Sequence, residues 1–203
     1  MTLDLLTALA VFAFVTSVTP GPNNMMLLAS GVNYGFRRTI PHMLGVSLGF
    51  GLMILLVGLG IGQAFTSFPP LYIALKIVSV IYMLWLAWKI ANAGPMVASG
   101  NDAAAKPMTF LAACAFQWVN PKAWAMCLTA VAAYTVPTQY ALSLAAVVAA
   151  YVIVNAPSVS VWVLFGQSLR GVLSDPKRVR IFNVAMAIAL IASLWPLVAE
   201  YWR

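Results

Sequence analysis

The stretch Ser17–Gly31, SVTPGPNNMMLLASG, places two prolines, a glycine and two asparagines inside an apolar run that begins at Leu5 and ends near Gly35. An apolar segment of that length is long enough to cross a bilayer, and polar or helix-breaking residues at its centre are costly there unless protein groups satisfy the backbone they free. Pro20 lies about fifteen residues into the run, so at about 1.5 Å of rise per residue it falls near the bilayer midplane.

The rest of the chain has the same character. Of its 203 residues 63% are hydrophobic and 7% charged, and the mean hydropathy is +0.95. Soluble domains carry roughly 25% charged residues, so an integral membrane protein is expected, with no length left over for a soluble domain. Apolar stretches run approximately over residues 5–32, 40–65, 72–91, 109–134, 141–169 and 181–199, which predicts an all-α polytopic membrane protein with six transmembrane helices. The turn signals NYGFRR, TSFPP, TVPTQ and RGVLSDPKRVR, and the polar stretch NAGPMVASGNDAAAKP, separate them.

The net charge of +7 would suggest nucleic acid in a soluble protein. Here the cations lie in short loops between apolar spans, where they set topology instead. Arg37, Arg38, Lys89, Lys106, Arg170, Lys177, Arg178 and Arg180 fall on one side, while the loops around FPP and YTVPTQY hold none. The loop cations therefore place both termini outside the cytoplasm. The N-terminus, with Asp4 and no basic region, reads as a retained span and not as a cleaved signal.

The predicted spans divide into three helices (1–91), a cytoplasmic connection (92–107) and three more helices (108–203), making one membrane domain. An odd number of spans per half inverts the second half, giving a 3+3 inverted repeat about an axis in the membrane plane. Pro121, about twelve residues into the fourth span, then interrupts it where Pro20 interrupts the first. Paired interruptions near the midplane point to a binding site.

Each break is expected to start a new half-helix, with Thr19 capping Pro20 and Asn120 capping Pro121. Pro22 stays in the first turn, and free N–H groups such as those of Gly21 and Asn23 face the gap. Two helix N-termini, each with roughly half a positive charge, would meet there together with Lys122, an arrangement suited to an anion. The alternatives are a proline that only kinks its helix and a Lys122 that snorkels to an interface.

Several motifs resemble the LysE/RhtB family of amino-acid exporters: TPGPNN in the first span, GFRRT after it, LAWKIA ending the third and FQWVNPKA in the fourth. SLGF, LAWKIA and the stretch from AKPMTF to FQWVNPK are most similar to its cysteine/O-acetylserine exporter branch. The resemblance implies a bacterial inner-membrane exporter of small amino acids, driven by protons as coupling ion and compatible with a homo-oligomer. It carries over to Pro20, Gly21, Pro22 and Asn23, with Thr19 and Asn24 flanking them, and to Asn120, Pro121 and Lys122. A zwitterion would place its carboxylate on the half-helix N-termini and Lys122, and its ammonium on Asn oxygens and freed carbonyls.

Asn155, in the fifth span beside Pro157, is expected to bond either a neighbouring helix or the ligand. His42, near the cytoplasmic end of the second span, is either a proton relay or a solvated interfacial group. Lys76 reads as an interfacial anchor, and Trp85, Trp88, Trp195 and Trp202 suit the aromatic belts. GVSLG on the second span fits close helix packing, since G-x-S-x-G nucleophile chemistry needs a strand-turn-helix elbow. Cys114 and Cys127 lie too far apart along one segment to bridge. No nucleophile–base pair or metal-ligand set is visible, so neither an enzyme nor a cofactor is expected. An ion or metal efflux protein and a membrane scaffold are the competing functions.

Overall fold

A computed structural model describes residues 1–62, 67–92, 106–171 and 175–195. Most of the 92–107 connection, Asp102, Glu200, Trp202 and Arg203 lie outside the described residues. Within them the chain is helical, with no strand. Helix α1 spans Leu3–Val18 and α2 spans Pro22–Tyr34. Helix α3 runs Phe36–Leu56 and continues into a widened turn, Val57–Ile61, where Gly60 takes φ 122°. Next come α4 (Pro69–Ala91), α5 (Phe110–Gln117), α6 (Pro121–Tyr134), α7 (Tyr140–Leu169) and α8 (Pro176–Ala192).

Side-chain caps fix several helix starts by accepting otherwise orphaned amides. Thr2 accepts from Leu5 N, Thr109 from Ala112 N and Asp175 from Lys177 N. The last of these starts α8 at Pro176, five residues before the apolar pattern begins.

Among the described residues three helical stretches are long and apolar enough to cross a membrane: Phe36–Ile61, Ile73–Ala91 and Pro137–Leu169. The pair α1 and α2, bent by 55°, makes a fourth if counted as one span. The fourth expected span is divided into α5 and α6, of 8 and 14 residues, so neither piece reaches span length alone.

The surface is apolar and the interior carries the polar groups. Leu44, Leu48 and Leu52 on α3, Ile73, Ile77 and Ile81 on α4, and Ile181 and Ile188 on α8 are exposed. Asn24, Gln117, Asn120, Asn155 and Asn183 are buried. That inversion suits hydrocarbon outside and paired polar groups within.

The long helix α7 forms the spine, packing against α1, α2 and α3. Its contact with α2 is very close: a Cβ on Gly31 would collide with the Val163 carbonyl, and one on Gly166 with the Leu28 carbonyl. Gly45 and Gly49 likewise bring α3 onto Phe110, Ala113 and Cys114 of α5. GVSLG is therefore a helix-packing face within an unbroken helix. Helices α4 and α8 pair with each other and share a core with Met26 and Phe116.

Hydrogen bonds tie the loop ends together. Phe36 N donates to Gln167 Oε1 (2.6 Å), setting the start of α3, with Arg37 and Arg38, beside the end of α7 and Arg170. Met1 N donates to Gln139 Oε1 (3.1 Å), and Tyr140 Oη donates to the Gly58 carbonyl (2.6 Å). The N-terminus thus lies beside the cation-free turn after α6.

Candidate functional site

Between α1 and α2 the backbone is extended, Thr19 at φ −64°, ψ 147° and Gly21 at φ 179°, ψ 176°. Each of these residues precedes a proline, whose Cδ clashes with a helical predecessor. The helix therefore cannot resume at Pro20. This corrects the expected cap: Thr19 closes α1 instead, its N–H donating to the Val15 carbonyl, and α2 begins at Pro22 with Gly21 in the capping position and no side-chain cap.

Side chains satisfy the carbonyls at the end of α1 one after another. Thr19 Oγ1 donates to the Thr16 carbonyl (3.1 Å), Asn24 Nδ2 to those of Ser17 and Thr19 (2.8 Å each), and Trp162 Nε1 to that of Val18 (3.1 Å). Lys122 Nζ completes the set by donating to the Thr19 carbonyl (2.8 Å), Thr19 Oγ1 (2.9 Å) and the Pro20 carbonyl (3.2 Å). An ammonium has three N–H donors, and all three are used.

Lys122 was expected to offer its charge to a ligand carboxylate between two helix N-termini. Its ammonium instead faces the negative end of α1, where carbonyl dipoles favour a cation. The freed carbonyls expected to hold a ligand's ammonium are the ones it occupies. Gly21 makes this contact possible: a Cβ there would lie 2.6 Å from Lys122 Cδ.

The second break is built locally. Trp118, Val119 and Asn120 donate their N–H groups to the carbonyls of Ala115, Phe116 and Gln117 (3.1, 3.1 and 3.3 Å), tightening the end of α5. Asn120 Oδ1 then accepts from Lys122 N (3.1 Å), with Pro121 at the first helical position, as the sequence predicted. Trp124 Nε1 closes back onto the Trp118 carbonyl (2.8 Å).

The two breaks touch. Asn23 and Gln117 form a reciprocal amide pair, Nδ2 to Oε1 at 2.8 Å and Nε2 to Oδ1 at 3.2 Å. Around it lies a cavity of ≈ 30 Å³ lined by the side chains of Thr16, Ser17, Asn23, Asn24, Gln117, Asn120, Lys122 and Asn155 together with Gly21 and the apolar Val46, Phe50, Ala123 and Met126. A single water needs about 10–15 Å³ of such volume, so the cavity has room for about two waters and not for an amino acid. Asn155 faces it without a hydrogen bond from its side chain among the described residues.

A second, largely apolar cavity of ≈ 540 Å³ lies on the other side of Lys122. Pro20, Pro22 and Pro121 line it, with Lys76 and Ser79 from α4 and Ser193 just past the end of α8. Lys76, expected as an interfacial anchor, is half-buried in its wall.

Not every candidate joins the cluster. His42 is 2% exposed, so it is not a solvated interfacial group, and among the described residues neither ring nitrogen has a hydrogen-bond partner. It lines neither cavity. Trp162, Tyr151 and Gln117 take larger parts than the sequence suggested: Tyr151 Oη lies 3.1 Å from Thr16 Oγ1, steadying the end of α1 against α7. Gln117 was legible in principle, lying one helical turn before Pro121 on the face that meets the break. Among the described residues no group of three or more His, Cys, Asp or Glu could hold a metal ion. Cys114 and Cys127 are both free.

The family model for LysE type translocators matches residues 14–193. The cysteine/O-acetylserine efflux protein of Escherichia coli (strain K12) is 38% identical over 144 residues, covering 70% of this chain and 72% of that protein. Its namesake from Salmonella typhimurium (strain LT2) is 37% identical over the same length. No solved structure matches the chain.

Proposed function

The chain belongs to the LysE type translocator family, and we propose that it exports a small zwitterionic amino acid or derivative, of the cysteine/O-acetylserine kind, across the bacterial inner membrane. The observation that carries this reading is the meeting of two helix breaks around a cavity where asparagine, glutamine and lysine side chains gather inside a protein with an apolar surface. Similarity to efflux proteins named for cysteine and O-acetylserine gives the substrate class.

In this proposal α1–α2 and α5–α6 are single spans broken near the midplane, within six spans arranged as a 3+3 inverted repeat. Residues 1–91 and 108–203 are its halves, residues 92–107 are cytoplasmic and both termini are periplasmic. The uncapped first turn of α2 takes the substrate carboxylate, with Lys122 as counter-charge, and the ammonium goes to the freed carbonyls at the end of α1 and to the side-chain oxygen of Asn155. Because ≈ 30 Å³ cannot hold such a solute, the two breaks must move apart to admit it. Protons are the coupling ion. No described acidic residue lies among those lining either of the two cavities; the ionisable side chains that do line them are Lys122 and Lys76, with His42 buried elsewhere in the bundle.

Purified protein in proteoliposomes should drive O-acetyl-L-serine or L-cysteine against its gradient when a proton gradient is imposed. Lys122→Ala should remove that concentrative movement from a protein that still elutes as a folded species. Absence of flux with every neutral amino acid tested, or full activity in Lys122→Ala, overturns the assignment.

A further inference from the structure

Lys122 stands on the wall between the two cavities: it lines both the small one of ≈ 30 Å³ and the large one of ≈ 540 Å³. Its side chain runs over Gly21, the one other residue besides Lys122 that lines both cavities, and ends on three oxygens of Thr19 and Pro20. With all three ammonium donors engaged, it has none left for a carboxylate. A lysine that serves the substrate must first leave these oxygens.

We propose that Lys122 is a gate between the two cavities, latched by its own ammonium on the oxygens of Thr19 and Pro20, and that the amino acid opens it by exchange. The substrate's α-ammonium takes the three-oxygen cradle, and the released Lys122 ammonium pairs with the substrate's carboxylate. The inference rests on the amino-acid exporter reading for the identity of the opening ligand, while the latch itself does not. Exchange conserves charge pairing throughout: one ammonium replaces another on the carbonyls, and the displaced one gains an anion.

Zwitterion selectivity follows. A ligand with only a carboxylate cannot vacate the cradle, and a ligand with only an ammonium leaves the displaced lysine unpaired in a low-dielectric interior, which is costly. The length of the rest of the molecule is read elsewhere, because the cradle contacts only the amine end.

The geometry also supplies a way to spring the latch without removing the lysine. Gly21 has extended backbone, open to any residue, yet an added Cβ would lie 2.6 Å from Lys122 Cδ and 3.1 Å from Nζ. What it meets is the far end of a flexible side chain, so the lysine gives way and the backbone does not.

The test uses Met126, which lines the small cavity. Met126→Cys is made in a Cys114→Ala, Cys127→Ala background, and its modification by a small cationic methanethiosulfonate is timed in proteoliposomes. Lys122→Met and Gly21→Ala should each speed labelling about tenfold, as expected for a shift from a mostly closed to a substantially open population. O-acetyl-L-serine should speed it in the protein with Lys122 and Gly21 intact, whereas N,O-diacetyl-L-serine, which keeps the carboxylate and lacks the ammonium, should not. Unchanged labelling in both variants overturns the gate. Equal acceleration by the two ligands overturns the exchange. If the variants label faster but no amino acid is transported by the parent protein, the latch stands and the exporter reading falls.

Discussion

The two helix breaks reach the same cavity by opposite means. The second, residues 118–120, is closed by its own neighbours: three tight backbone bonds, the Asn120 cap and the indole of Trp124. The first, residues 19–21, has no cap of its own on α2, and the carbonyls it exposes are satisfied by Asn24, Trp162 and Lys122. Two of those three donors come from distant helices. A break held from within stays formed when its surroundings shift, while a break held from outside opens as soon as its partners withdraw. The first break is thus the adaptable side of the site and the second its fixed frame.

The strongest way to break this comparison is Lys122→Ala. It removes three charge-assisted bonds from the first break and leaves the backbone amide that Asn120 caps in the second. Concentrative export should fall about 100-fold, in line with roughly 1.5–3 kcal/mol for a bond to a charged group. Retained export, measured as O-acetyl-L-serine accumulation in proteoliposomes, would make the two breaks equivalent.

Asn24→Ala should act next most strongly, on stability. It strips the carbonyls of Ser17 and Thr19 of a shared donor, for Ser17 the only one among the described residues. Orphaning a buried carbonyl costs about 1–3 kcal/mol, so the thermal midpoint in detergent should drop clearly. An unchanged midpoint would mean that water or lipid replaces the amide there.

Asn120→Ala tests the fixed frame. Loss of an N-cap costs typically about 1 kcal/mol, and three backbone bonds still hold the turn, so the melting temperature should fall less than in Asn24→Ala. The smallest stability change belongs to Asn155→Ala, whose buried amide makes no hydrogen bond among the described residues: with no bond to lose, the thermal midpoint should hold or rise slightly, while KM for the exported amino acid rises. A large destabilisation with unchanged KM would assign Asn155 to helix packing.

Much of this contrast could be read from the chain before any coordinates. NPK announces a capped restart, and TPGPNN announces an interruption, because proline removes a donor and excludes helix from the residue before it. The same rule, applied to Gly21 before Pro22 as well as to Thr19 before Pro20, would have moved the restart from Pro20 to Pro22. Long-range partners were not legible. Nothing in the spacing tells that Trp162, some 144 residues away, reaches the Val18 carbonyl, or that Lys122 turns toward carbonyls and away from helix amides. His42 was misplaced for a related reason. A boundary drawn from hydropathy starts the second span at Ile40, whereas α3 begins at Phe36, which draws the histidine into a buried turn.

A substrate held between the breaks requires them to separate, since the space there is only ≈ 30 Å³. Asn23→Cys with Gln117→Cys, in the Cys114→Ala, Cys127→Ala background, replaces the amide pair that joins them. Tying the two thiols with a short bis-methanethiosulfonate should abolish O-acetyl-L-serine export, and reduction should restore it. Export that continues undiminished with the cross-link in place, or thiols that the reagent cannot bridge, would contradict the account.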